Sequence, residues 1–259
     1  IITFVVDFYF YDPTTGSNTT LMHSGEYSLG VDAFLGNVFF LQTIHFPTYG
    51  TNGPLWSLAN EFWYYVFFPL IFIMFNKFRN REIDLYALFF CIIILLWLPS
   101  NIILLFPVWL IGFLVYLFYE KYRANGYFFL ISLFSFFLIL AASRFKLING
   151  IEADYLVGVS IAALILTSPI IEKNFDRYNK LKIFVSWLSS ISYSLYLFHY
   201  PLLVFFVSVS DTLMQKPDYY LFMQFFLLSI GIVLVSWVLW FMFERHTFKV
   251  RKIMKKIFA

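Results

Sequence analysis

Charge is what this sequence has least of. Asp, Glu, Lys and Arg make up 13% of its 259 residues, while 61% is hydrophobic and 24% aromatic. A soluble domain carries about twice that share of charge. Such a chain cannot cover its surface with polar groups, which excludes a water-soluble globule and makes lipid the solvent. Cysteine is nearly absent: Cys91 is the only one, so no internal disulfide can form and no zinc-ligand spacing exists. Cys91 lies in an apolar run and reads as a packing residue. No repeat, Gly/Ser linker or low-complexity tract divides the chain, so residues 1–259 read as one membrane-embedded domain. The net charge of +3 is small, and no nucleic-acid partner is expected.

The apolar runs are long. Seven stretches approach the roughly 17–25 residues that a helix needs to cross a bilayer: 55–75, 83–98, 102–119, 127–142, 152–171, 187–209 and 219–243. Residues 1–10, "IITFVVDFYF", are apolar but too short, and read as the tail of a span that begins upstream of Ile1. No signal peptide is visible. The expected fold is all-α: a polytopic transmembrane helical bundle of about seven full spans plus an N-terminal partial span.

Lysine and arginine are retained on the cytoplasmic side of a membrane. If the seven spans alternate, one side receives fifteen of them: Lys77, Arg79, Arg81, Lys121, Arg123, Lys173, Arg177, Lys180, Lys182 and the six from Arg245 to Lys256. The other side receives three, Arg144, Lys146 and Lys216, and the long segment 11–54 has none. A wrong span count would scramble this split. It predicts a cytoplasmic C-terminus.

Segment 11–54 is the largest on the outer side. "YDPTTGSNTT" is turn chemistry, and Asn18-Thr19-Thr20 fits a glycosylation sequon. "AFLGNVFFLQTIHF", 33–46, is too short to cross; it lies along the interface or dips back into the bundle. The tail 244–259, "ERHTFKVRKIMKKIFA" from Glu244, is basic and amphipathic. It reads as an anchor on anionic headgroups, or as a strip for an anionic cytoplasmic ligand.

Two spans, 55–75 and 187–209, hold a single acid or histidine and nothing else charged. In "GPLWSLANEFWYYVFFPL", 53–70, Glu61 precedes fourteen uncharged residues. Asn52 or Gly53 is placed to cap this helix, and Pro54 suits its first turn. With Trp56 at the outer headgroups, Glu61 stands about 7–8 Å deeper, with Ser57, Tyr64 and Tyr65 on its face. An acid within a span faces a cavity, a partner or a route to the interface. In "SSISYSLYLFHYPLL", 189–203, His199 is the one histidine of four inside a span, with Tyr196 and Ser192 on its face. Pro201 frees a backbone carbonyl one turn earlier. Glu61 and His199 suit a proton relay, a general acid/base pair or a hydrogen-bonded lock, and periodicity does not choose among them.

Motifs narrow the choice. "WSLANE" resembles the WSL-x-x-E signature of the acyltransferase 3 family of integral-membrane O-acyltransferases, and "SYSLYLFHYP" its late SYSLYL-x-H-x-P signature. "FPVWLIGFLVY", 106–116, is more loosely similar to an F-x-x-G span, and "FERHTFK", 243–249, to an ERP element that closes the last span, with His246 in place of the proline. The order matches along essentially the whole chain. The resemblance implies a ten-span bundle with both ends cytoplasmic, so two spans and part of a third would precede Ile1. The family's first span holds an arginine and a histidine central to catalysis; no position here matches them, and neither is carried over.

The resemblance also implies an activity. Members move an acyl group, often acetyl, from a cytoplasmic acyl-CoA to hydroxyls of a cell-surface glycan or lipid-linked saccharide. It marks Glu61 and His199 as candidate catalytic residues, and Trp56, Ser57, Asn60, Tyr64, Tyr193 and Tyr196 as candidate substrate-binding residues. Acetyl-CoA is expected as co-substrate, with no bound cofactor and no metal. Membrane lipids are the remaining partners, and a bacterial inner membrane is the expected location. The rivals are a proton-coupled transporter or flippase using the same acid and histidine, and an accessory subunit without activity.

Overall fold

The computed structural model describes residues 1–11, 28–119, 121, 126–169, 179–209 and 219–257. The sequon at 18–20 and the cations Arg123, Lys173, Arg177 and Lys216 lie outside the described residues. The described chain is helical, with two isolated β-bridges, Ser28 with Tyr49 and Gln42 with Phe46. Its helices are α1 (Ile2–Phe10), α2 (Val31–Val38), α3 (Trp56–Arg79), α4 (Leu85–Trp97), α5 (Ser100–Tyr119), α6 (Gly126–Arg144), α7 (Gly150–Thr167), α8 (Asn179–Ser190), α9 (Ser192–Val209), α10 (Tyr219–Met242) and α11 (Thr247–Ile257).

Six segments are long and apolar enough to cross a membrane, built on α3, α5, α6, α7, α9 and α10. They match six of the seven expected spans. The seventh, 83–98, is trimmed to the thirteen residues of α4. Asp84 starts it by accepting from the Ala87 N–H at 2.9 Å. Pro99 ends it, because the residue before a proline is pushed out of the helical region, and Leu98 is extended. At 1.5 Å per residue α4 is roughly 20 Å long, short of a hydrocarbon core of about 30 Å.

The stretch 187–209 is also not one helix. It breaks at Ile191, between α8 and α9. Serine hydroxyls around the break turn back onto backbone carbonyls: Ser190 to Trp187 at 2.7 Å and Ser192 to Ser189 at 2.8 Å. Such back-bonding competes with the helix ladder and bends it.

Large apolar side chains remain exposed on these helices, among them Leu96, Tyr127, Phe134 and Phe226. In water that surface would drive association; in a bilayer it is the lipid-facing side.

The chain divides into two compact units. Trp63–Phe184 forms one. In it α5 and α6 both pack on α7. Gly158 of α7 makes the α5 approach possible, since a Cβ there would stand 2.8 Å from Val108 Cγ1. Pro107 lies inside α5 and removes the donor to the Ile103 carbonyl; the carbonyls on either side of it accept tyrosine hydroxyls, Ile102 from Tyr64 and Leu104 from Tyr155, each at 2.7 Å. Trp63 meets Trp97 edge to face, 4.8 Å between centroids.

Ile1–Phe62 with Val185–Ala259 forms the other unit. Here α9 packs between α1 and α10. Val6 and Tyr11 pack with Val204, flanked by Ile2, Tyr200 and Phe205, so α1 and α9 run parallel. Ser194 near the start of α9 bonds Glu244 just past α10, and Phe206 faces Gly231. The pair α9 and α10 is therefore antiparallel. Both relations agree with alternating spans.

Candidate active site

The start of α3 is tied to α1 and α9. A 3₁₀ turn, Gly53–Leu55 with Pro54 in its first positions, leads into Trp56. Asn52 makes no capping bond to this turn. Its amide Nδ2 donates instead to the carbonyl of Leu197 in α9 at 3.3 Å, with Thr3 Oγ1 of α1 at 3.5 Å. Leu197 is four residues before Pro201, which has no N–H to give it. The proline thus creates an acceptor inside the helix, and Asn52 fills it.

Next to this contact the two motifs meet. The Tyr196 hydroxyl donates to the carbonyl of Pro54 at 2.6 Å. Ser57 Oγ bonds the same phenol oxygen and also reaches the Pro54 carbonyl at 3.4 Å, so both hydroxyls converge on that carbonyl. Ser57, Tyr196 and the Pro54 carbonyl form an ordered chain that ties WSL to SYSLYL. Three residues on, His199 Nδ1 lies 2.7 Å from the Tyr196 carbonyl. A carbonyl only accepts, so Nδ1 carries the proton. A neutral imidazole then holds its lone pair on Nε2, the form of a general base.

Tyr196 sits in the second turn of α9, which continues about 20 Å further to Val209. Trp56 is next to Pro54 and Ser57, at the Tyr196 level. Within the stretch 33–46 polar side chains serve the backbone. Gln42 Nε2 donates to the Leu55 carbonyl at 2.9 Å, and Asn37 Nδ2 to the Pro47 carbonyl at 2.9 Å.

An acid missed in the sequence reading holds the same turn. Asp7 of α1 is 2% exposed and accepts from the Thr51 N–H at 2.6 Å and the Thr51 hydroxyl at 2.8 Å. Gly50 is left-handed, φ 59°, and a Cβ there would meet Asp7 Oδ2 at 2.1 Å. Only glycine lets the turn close on the carboxylate. Burial, and then the nearby Asp7 charge, push the Tyr49 phenol up from its ordinary value. The signal for Asp7 was available: like Glu61, it is a lone acid in an apolar run.

Glu61 lies one turn after Ser57, on the exposed side of the unit. It is within electrostatic range of the Tyr193 hydroxyl, and so is Glu244. Glu244 also accepts from the buried Ser194 hydroxyl at 2.5 Å. The closing FER element therefore touches the same turn of α9 as the WSL-x-x-E helix. Tyr193 and Tyr196 are one turn apart, with Tyr193 beside the acids and Tyr196 beside Ser57 and His199.

Two candidates behave otherwise. Tyr64 is buried with its hydroxyl committed to Ile102 and its ring against Phe106 and Trp109. It holds α5, although helical spacing put it on the Glu61 face. Asn60 is 6% exposed, and its Oδ1 has no donor. Asn52 Oδ1 and Gln42 Oε1 share that condition. Among the described residues no group of three or more His, Cys, Asp or Glu gathers as a metal site.

The long apolar helices define an integral membrane protein, and within one helical unit the starts of α3 and α9 are joined through Ser57, Tyr196 and the Pro54 carbonyl. The chain belongs to the acyltransferase 3 family, whose pattern, described as an acyltransferase domain, matches residues 1–241. No curated protein and no solved structure matches the chain.

Proposed function

We propose that the protein transfers an acyl group, acetyl in the first instance, from a cytoplasmic acyl-CoA to hydroxyls of an extracytoplasmic envelope saccharide in a bacterial cell membrane. The observation that carries this reading is the Ser57–Tyr196–Pro54 chain, which joins two family motifs and leaves His199 with a basic Nε2 beside them. Acyl transfer needs a base for the hydroxyl proton. It also needs donors for the oxyanion that forms on the thioester carbonyl.

In this reading His199 Nε2 takes the proton as the acceptor oxygen attacks the thioester carbon. The C–S bond breaks, the acyl ester forms, and the proton leaves with the coenzyme A thiol. Glu61 is the charged hydrogen-bond partner that positions the reacting groups, and Trp56, Ser57, Asn60, Tyr193 and Tyr196 line the place where they meet. Tyr64 has a structural task instead. The contact of the Asn52–Ser57 turn with α9 supports a meeting point there.

Membranes containing the protein, given acyl-CoA labelled in the acyl carbonyl, should form a base-labile ester on the envelope saccharide. The His199→Ala protein at equal abundance should not. Equal ester formation by both would overturn the assignment.

A further inference from the structure

The acyl-transfer reading leaves the basic tail without a task. After α10 the chain turns at Phe243, φ −115° and ψ −61°, passes through the single 3₁₀ turn Glu244–His246, and starts a new helix, α11. A 3₁₀ turn thus separates α11 from α10, and Glu244 in that turn accepts from Ser194 at 2.5 Å. At 100° per residue, Lys249, Arg251, Lys252, Lys255 and Lys256 share one side of α11. Ile253 and Met254 share the other and are 57% and 47% exposed. Phe248, in the first turn, falls on the basic side.

We propose that α11 lies along an anionic phospholipid surface, with its five cations among the headgroups and the Ile253–Met254 side in the acyl boundary. Charge alone would also suit a soluble anion. The apolar side decides between them: a phosphate or nucleotide gives it nothing to enter, whereas the headgroup boundary accepts both sides of the helix at once. The helix follows directly on a membrane span, so its distance from the bilayer is only the length of the Glu244–His246 turn. Each cation near an anionic surface raises the bound-to-free ratio roughly fivefold.

The test uses the whole chain in a Cys91→Ala background, in nanodiscs of phosphatidylcholine alone or with phosphatidylglycerol. Spin labels are placed at Ile253→Cys or Lys256→Cys. In the anionic discs the 253 label should report hydrocarbon and the 256 label water. In neutral discs both should report water. Lys252→Gln with Lys255→Gln should lower the immersed-to-free ratio at 253 by at least tenfold. A 253 label in water on anionic discs would overturn the proposal, as would equal immersion in neutral lipid. Shielding of the 256 label by added coenzyme A, with the 253 label still in water, would assign the strip to a soluble anion instead.

Discussion

Asn52 donates to the Leu197 carbonyl, the one acceptor that Pro201 leaves without its helical donor. The segment before α3 and a membrane helix are thus joined through a vacancy in the helix ladder. The contact has a thermodynamic signature. Asn52→Ala should cost about 1–3 kcal/mol, the usual cost of a buried acceptor left alone. Pro201→Ala restores an N–H at position 201, so Leu197 no longer needs Asn52. Asn52→Ala should therefore cost at least about 1 kcal/mol less in the Pro201→Ala background. Unfolding titrations of the four proteins in mixed micelles give the coupling, and strictly additive effects would dismiss the link.

The Ser57–Tyr196–Pro54 chain separates position from abundance. Tyr196→Phe removes the short bond to Pro54 and the contact with Ser57, whereas Ser57→Ala removes that contact and only the longer 3.4 Å bond to Pro54. If the chain positions His199, Tyr196→Phe should lower acyl transfer by about 10–10²-fold at near-normal protein level. Ser57→Ala should lower it less. The reverse order, measured as transfer per unit of membrane-inserted protein, would mean that Ser57 acts on substrate directly.

Much of this fold was legible because apolar run length is a one-dimensional signal. The six long helices and the proline-freed carbonyl in α9 are readable from local sequence. What was hidden depends on partners far along the chain. Asn52 looks like a helix cap until Leu197, 145 positions away, is seen to use its amide. Tyr64 is on the Glu61 face by periodicity, yet a carbonyl beside the Pro107 kink claims its hydroxyl. The tight bounds of α4 were written in Asp84 and Pro99, but an apolar count overlooks a cap and a stop. Glu244 was quoted within a motif, and nothing local said that Ser194 would receive it.

Asp7 and Gly50 make a second stability prediction. Gly50→Ala adds a Cβ at a left-handed position, 2.1 Å from Asp7 Oδ2. Something must move, and a loss of about 1–3 kcal/mol is expected, the scale of held backbone strain. Asp7→Asn keeps the shape but weakens both charge-assisted bonds to Thr51. It should loosen the 49–52 turn, read as faster proteolysis or hydrogen exchange there. Unchanged protection in both variants would show that the turn is held by Asn52 alone.

Topology is checked from outside the site. In a Cys91→Ala background, Lys146→Cys and Lys180→Cys should label from opposite faces of the membrane. Position 146 should react with an impermeant reagent in intact cells, and 180 only after permeabilisation. α7 is the span that separates them, so labelling from one face would remove either α7 or the lysine/arginine orientation.

The sharpest test concerns the acid in the WSL-x-x-E helix. Glu61→Gln keeps the shape and hydrogen-bonding atoms and removes the charge. A glutamate that merely reaches for the interface should tolerate this, because a neutral amide is solvated there as easily. A glutamate that positions reacting groups should lose on the order of 10²–10⁴-fold in turnover, the range for a positioned acid or base. Abundance should stay normal, since Glu61 is on the exposed side of its unit. Tyr64→Phe is the opposite control: it removes the buried bond to the Ile102 carbonyl, so it should cost stability and leave turnover per folded molecule nearly unchanged. Tyr193→Phe separates the two acids from the hydroxyl they share, and an intermediate loss is expected if that phenol relays their effect. Acyl transfer normalised to inserted protein ranks the three. Wild-type turnover in Glu61→Gln, with a large loss in Tyr64→Phe, would move the chemistry off this face of α3 and onto the α5 side of the helix.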